Sequence, residues 1–188
     1  MINASETFED LRSRLQLNEE GRLTLNGLPM ILLPRHFFRY IMRDVQKMVG
    51  PETFRKMFEK VGYDGAVTFC DAFRKSHGCS AKEAFIGYLN EMSIRGWGHF
   101  KIEKLDELNG EAEVLLTNSA LPAEGELPTG NSIWEGAVLG AMAYVQDQSR
   151  NVKRKAGAVA GHQANGNKAG SSSYIIRVTP AAVSGDGG

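Results

Sequence analysis

The residues of this 188-residue chain best suited to hold a metal or act as a nucleophile are His36, His77, His99, His162, Cys70 and Cys79. Their spacing assembles no centre. The histidines are scattered, without the HExxH pattern that sets two imidazoles on one helical face. Cys70, His77 and Cys79 are close in sequence, but a structural zinc takes four ligands and a catalytic one three plus water. Cys70 also falls on the apolar stripe of a helix, while His77-Gly78-Cys79 falls in a connection, so a buried thiol beside loop residues is the simpler reading. Neither cysteine has the basic surroundings that favour a thiolate, and no GxSxG elbow presents a serine. The acidic pairs Glu19-Glu20 and Asp106-Glu107 lie in turns, where solvated charges need no catalytic role. Gly62-Tyr63-Asp64-Gly65 and Gly96-Trp97-Gly98 do not follow a strand and open a helix, as phosphate loops do. No catalytic residue, metal ligand or cofactor is expected.

Binding is better served than chemistry. Gly96-Trp97-Gly98 joins a helix to a strand and brings an indole to the sheet edge, either as a tight turn with a core tryptophan or as a pocket wall. Gly136, Gly140 and Ala143 form a small-residue stripe, and a glycine inside a helix costs about 1 kcal/mol relative to alanine. Such a stripe implies close approach by another backbone or by a ligand. Phe69, Cys70, Phe73, Tyr88 and Met92 give two helices adjacent aromatic and sulfur-bearing faces, which form core unless the packing leaves a void.

These side chains must be positioned by the elements around them. Thr7 to Leu17 reads as a short polar helix, and Glu19 to Arg22 as a turn into strand-like Leu23-Thr24-Leu25. Gly27 and Pro29 interrupt that run before a second strand, Met30 to Leu33. Phe38, Ile41, Met42, Val45, Met48 and Val49 follow helical spacing until Gly50-Pro51. A second helix is expected from Pro51 to Gly62 and a third, short one over Ala66 to Phe73. Ser80-Ala81-Lys82-Glu83 is a capping box that opens the next helix, which leaves at Arg95-Gly96. Phe100–Leu105 and Ala112–Thr117 read as a hairpin around Asn109-Gly110, and a last helix covers Ile133 to Gln148. The order argues an α+β fold, a small antiparallel sheet packed with four to five helices.

Composition bounds the rest. Lys plus Arg and Asp plus Glu both number 22, and 42% of residues are hydrophobic, as in an ordinary globular domain. From Arg150 onward six basic residues face one acid, so a mildly acidic body carries a basic tail and offers no nucleic-acid-binding face. The expected division is an N-terminal segment over 1–20, a ligand-binding type of domain over 21–149, and a flexible tail over 150–188. That tail is rich in Gly, Ala and Ser, with a strand-like island at Tyr174–Val178. No apolar run reaches the roughly 20 residues of a membrane helix, and no signal peptide is recognisable. Two cysteines without a disulfide framework fit the cytoplasm.

Leu28 to Pro34, the Gly62/Gly65 pair, Arg95 to Phe100, Thr117-Asn118-Ser119 and Trp134 to Gly140 occur in the order of a known family. Over Gly21 to Gln148 the chain resembles the 4-vinyl-reductase-like domain, a small-ligand-binding fold shared with phenol- and xylene-sensing regulators and related to TRAPP tethering subunits. It is also similar to standalone bacterial members associated with betaine and dimethylglycine catabolism. The resemblance implies an α+β domain, often a homodimer, with a hydrophobic pocket between helices and sheet. Three positions depart from the phenol sensors. Met92 stands where they carry a ligand-contacting histidine, Leu116 matches their tryptophan, and Asn131 matches their zinc cysteine. Their later cysteine cluster is missing. These departures argue against phenol recognition and zinc and imply a more apolar pocket.

The resulting expectation is a cytoplasmic sensor or accessory domain for a small hydrophobic or amine-type ligand, with its output in a separate protein. Cys70, Phe73, Tyr88, Met92, Trp97, Leu116 and Trp134 are expected to face one cavity, with Gly136 leaving room beside the last helix. The alternatives are an enzyme or enzyme subunit for a small amine or tetrapyrrole, and a dimeric interaction protein whose pocket is filled by side chains.

Overall fold

Local sequence sets most element boundaries. The computed structural model describes residues 4–25, 28–121, 131–149, 153, 155–164 and 173–181. Helix α1 (Ala4–Arg14) leads into a meander of three short strands, β1 (Leu15–Leu17), β2 (Leu23–Leu25) and β3 (Leu28–Met30). Then come α2 (Arg35–Val49), α3 (Pro51–His77) and α4 (Ala81–Ile94). The hairpin β4 (His99–Asp106) and β5 (Glu111–Thr117) follows, then α5 (Ser132–Gln148), β6 (Ala156–Ala164) and β7 (Ser173–Pro180). The fold is α+β, with two antiparallel sheets and five helices among the described residues. None of these helices is long and apolar enough to cross a membrane.

The capping box forms as its spacing requires. The Glu83 amide donates to Ser80 Oγ at 3.2 Å, and the Ser80 amide donates to Glu83 Oε2 at 2.8 Å. Period-two burial marks β5, where Ala112, Val114 and Leu116 are buried and their neighbours half-buried. This strand packs the sheet onto α5, a helix buried almost all round, with α3 on its far side.

Two sequence expectations are corrected here. Gly62 does not end a helix, and α3 runs unbroken for 27 residues from Pro51 to His77. The glycine lets α5 approach: a Cβ at Gly62 would fall 1.9 Å from the Ile133 carbonyl oxygen. Gly136 and Gly140 answer from α5, where a Cβ would lie 1.8 Å from the Glu59 oxygen and 2.4 Å from the Tyr63 oxygen. The stripe is a helix–helix seam, so Gly136 leaves no room for a ligand there.

The second correction concerns the tail. The larger sheet has the order β4-β5-β7-β6, so β7 is an interior strand and β6 an edge. Val114 faces Ile176 and Leu116 faces Tyr174 across β5 and β7. Strand β6 is built mostly from Ala, Gly and Val, with His162 and Gln163 near its end, and such small residues look like a linker because their side chains bury little. Its order comes from backbone pairing with β7 and from Tyr174, whose ring occupies the space a Cβ at Gly161 would need. The rest of the expected linker, 150–152, 154 and 165–172, lies outside the described residues.

Candidate ligand-binding site

The turn after α4 is where local geometry becomes a site. Gly96 and Gly98 adopt φ of 80° and 150°, which side-chain-bearing residues rarely reach. The Gly96 amide donates to the Ser93 oxygen and the Trp97 amide to the Met92 oxygen, both at 3.1 Å. Gly98 is pressed against the Leu116 side chain and the Ser119 backbone, and the Ala120 amide donates to the Trp97 oxygen at 2.8 Å. Trp97 is thereby fixed within an aromatic row. Its ring meets Phe38 at 5.8 Å and Trp134 at 5.5 Å, and Trp134 meets Phe100 at 5.2 Å, all edge-on. The buried indole N–H of Trp134 has no hydrogen-bond partner among the described residues.

In front of Trp97 lies a cavity of about 540 Å³. Leu11, Leu15, Leu23 and Leu25 form one wall, from α1 and the small sheet. The Pro29 to Leu33 connection forms a second, and Phe38, Trp97, Ala120 and Leu121 close the back. Two cations, Arg35 and Arg95, complete the apolar lining. Arg35 Nη2 donates to the Leu121 oxygen at 3.2 Å. Arg95 lies over the Phe69 ring at 5.6 Å and pairs with Glu91 Oε2 at 3.6 Å. Glu91, buried itself, accepts a 2.6 Å hydrogen bond from Arg14 Nη1. Burial holds the Arg95 guanidinium below its ordinary value, against the opposing pull of Glu91.

Of the eight residues expected to share a cavity, Trp97 lines this one. Cys70, Tyr88, Met92, Leu116 and Trp134 belong to the buried core, and Phe73 packs against it. The Cys70 thiol donates to the Ala84 oxygen at 3.8 Å, and burial pushes its pKa up to about 12. Phe73 is stacked between Phe69 and His77 and presses on Gly87. Burial also raises the Tyr88 phenol. Among the described residues no group of three or more His, Cys, Asp or Glu converges as a metal site.

Sequence reasoning passed over Arg35, Arg95 and the Ile31–Leu33 wall. A signal was present. Pro29 and Pro34 bracket that apolar run, and prolines mark edges and ends of strands rather than a sheet interior. Ile31 and Leu32 are accordingly 74% and 79% exposed.

Fold and cavity together define an α+β domain with an apolar cavity beside Trp97. The structure is similar to the crystallised phenol-responsive sensory domain of the transcription activator PoxR with phenol. That likeness has a TM-score of 0.66 at 16% identity, over 95% of this chain and 91% of that one. Subunit 3 of a trafficking protein particle complex from Naegleria fowleri, covalently bound to palmitic acid, matches with a TM-score of 0.46 and 14% identity. It covers 77% of this chain and 92% of that one. In sequence, the family model of a domain of unknown function (DUF5943) matches residues 13–103. No curated protein matches.

Proposed function

We propose that this chain is a small-molecule-binding domain of the sensor or accessory kind, and that its ligand occupies the cavity in front of Trp97. The carrying observation is the cavity itself. At about 540 Å³ it falls in the range of small-molecule sites, and apart from two arginines its walls are apolar. The fold shared with a phenol-responsive sensory domain supports the same reading, as does the 4-vinyl-reductase-like resemblance. Two free thiols, Cys70 and Cys79, support a reducing compartment such as the cytoplasm. Native mass spectrometry of the protein from its own host tests the proposal. A co-purifying small mass is expected, and it should disappear in Ala120→Phe, which fills the cavity from a wall. Retention of that mass in the filled variant would place the ligand elsewhere.

A second reading, that the domain works as a homodimer, is favoured by a specific surface. Phe37, Tyr40, Ile41 and Met48 form an exposed apolar stripe on α2, and Met57 and Val61 form another on α3. Exposed apolar side chains clustered along helices in this way favour an interaction site.

A further inference from the structure

Resting on that cavity as the ligand site, we propose that its ligand is an amphipathic monoanion, an apolar body ending in a carboxylate. The only charged side chains on the wall are Arg35 and Arg95; no acid lines it among the described residues. Among the described residues Glu91 is the carboxylate paired with Arg95, and it is shared with Arg14. Arg14 in turn pairs with Asp10 at 2.9 Å. Among the described residues, three arginines thus face two carboxylates, a surplus of one positive charge.

The donors are as under-used as the charge. Arg95 Nε and the Glu91 Oε2 it faces at 3.6 Å are both buried without a hydrogen-bond partner among the described residues, because that separation is longer than a hydrogen bond. Arg35 is held to the Leu121 carbonyl, a neutral acceptor. It also opens α2, whose first turn contains no acidic residue and whose N-cap, Pro34, supplies no side-chain acceptor. A cation at the positive end of a helix opposes the helix dipole, an arrangement that an incoming anion relieves. Guanidinium groups match carboxylates in shape as well as charge. An ammonium ligand would meet two arginines and no counter-charge.

Isothermal titration of the full chain with decanoate, decanol and decylamine at pH 7.5 separates head group from tail. Decanoate is expected to bind about tenfold tighter than decanol, a difference of about 1.4 kcal/mol, and decylamine more weakly than either. Arg95→Gln should bring decanoate down to the level of decanol while leaving decanol within about twofold, and Arg95→Lys should keep part of the preference. Decanol binding as tightly as decanoate to the unaltered protein would overturn the anion inference and leave the cavity reading standing. Failure of all three to bind, or equal binding to Ala120→Phe, would overturn both. An Arg95→Gln protein that keeps full decanoate preference would remove Arg95 from the site.

Discussion

Gly136 sits directly over the carbonyl oxygen of Glu59: a Cβ on the glycine would lie 1.8 Å from that oxygen and 2.6 Å from its carbon. Both atoms are backbone, so neither yields without moving a helix. Gly136→Ala should therefore destabilise the protein by about 3 kcal/mol or more, at the upper end of overpacking costs. Gly65 lies on the same long helix with nothing within 4 Å of its would-be Cβ, so Gly65→Ala should stabilise by about 0.5–1 kcal/mol. Urea melts of the two variants check both signs at once.

Truncation after Gln148 should prevent folding. It removes Tyr174, Ile176 and Val178, all buried, from the interior of the larger sheet. Loss of the cooperative melt by circular dichroism is the expected result. Ile176→Ala, a milder cut, should cost about 2–5 kcal/mol.

One thiol per chain should react with a disulfide reagent at pH 8 in the native state, and two in denaturant. Cys79 is partly exposed, whereas Cys70 is fully buried with its pKa at about 12. Two fast equivalents from the native protein would mean that α3 and α4 open readily around Cys70.

The Glu83 carboxylate is held below its ordinary 4.5, first by the Ser80 amide and then by the Ser80 hydroxyl. A depressed folded value means that this stabilisation is complete above the unfolded value and is lost as pH falls through the folded one. Acid unfolding followed below pH 5 should accordingly be shallower in Glu83→Gln than in the parent, with the two curves parallel above that.

Replacing Ile41 and Met48 with glutamate should leave the fold of the single chain intact by circular dichroism, because both are exposed on it. The same double variant should lower the mass seen by light scattering from dimer to monomer. An unchanged mass would remove the α2 face from the proposed assembly.

Helix α4 and the β4–β5 hairpin were legible because their signals are local: a capping box within four residues and an Asn-Gly turn. The continuity of α3 through Gly62 is not legible locally, because the reason for that glycine lies on α5, some seventy positions away. Strand β6 was missed for a related cause, since its order is supplied by β7 rather than by its own side chains. The aromatic and sulfur-bearing residues were rightly judged apolar, but apolar type does not separate a packed core from a pocket wall. Trp97, which lines the cavity, is marked in the sequence by its flanking glycines. Arg95 looks in the sequence like a helix exit, because only the fold sets it on one cavity wall with Leu15, Leu23 and Phe38.

The placement of β7 has a consequence for how the chain is made. Strand β5 is complete at Thr117, yet its partner on one side does not begin until Ser173. During synthesis the hairpin must wait through residues 118–172 with one edge carrying unpaired amides and carbonyls, a template for pairing with the wrong strand. Tyr174 then arrives with its hydroxyl donating to buried Glu135, a carboxylate that Arg55 also holds from α3. The sheet closes and the helices are pinned in the same event, so an emerging chain passes late and abruptly from an adhesive half-sheet to a finished domain.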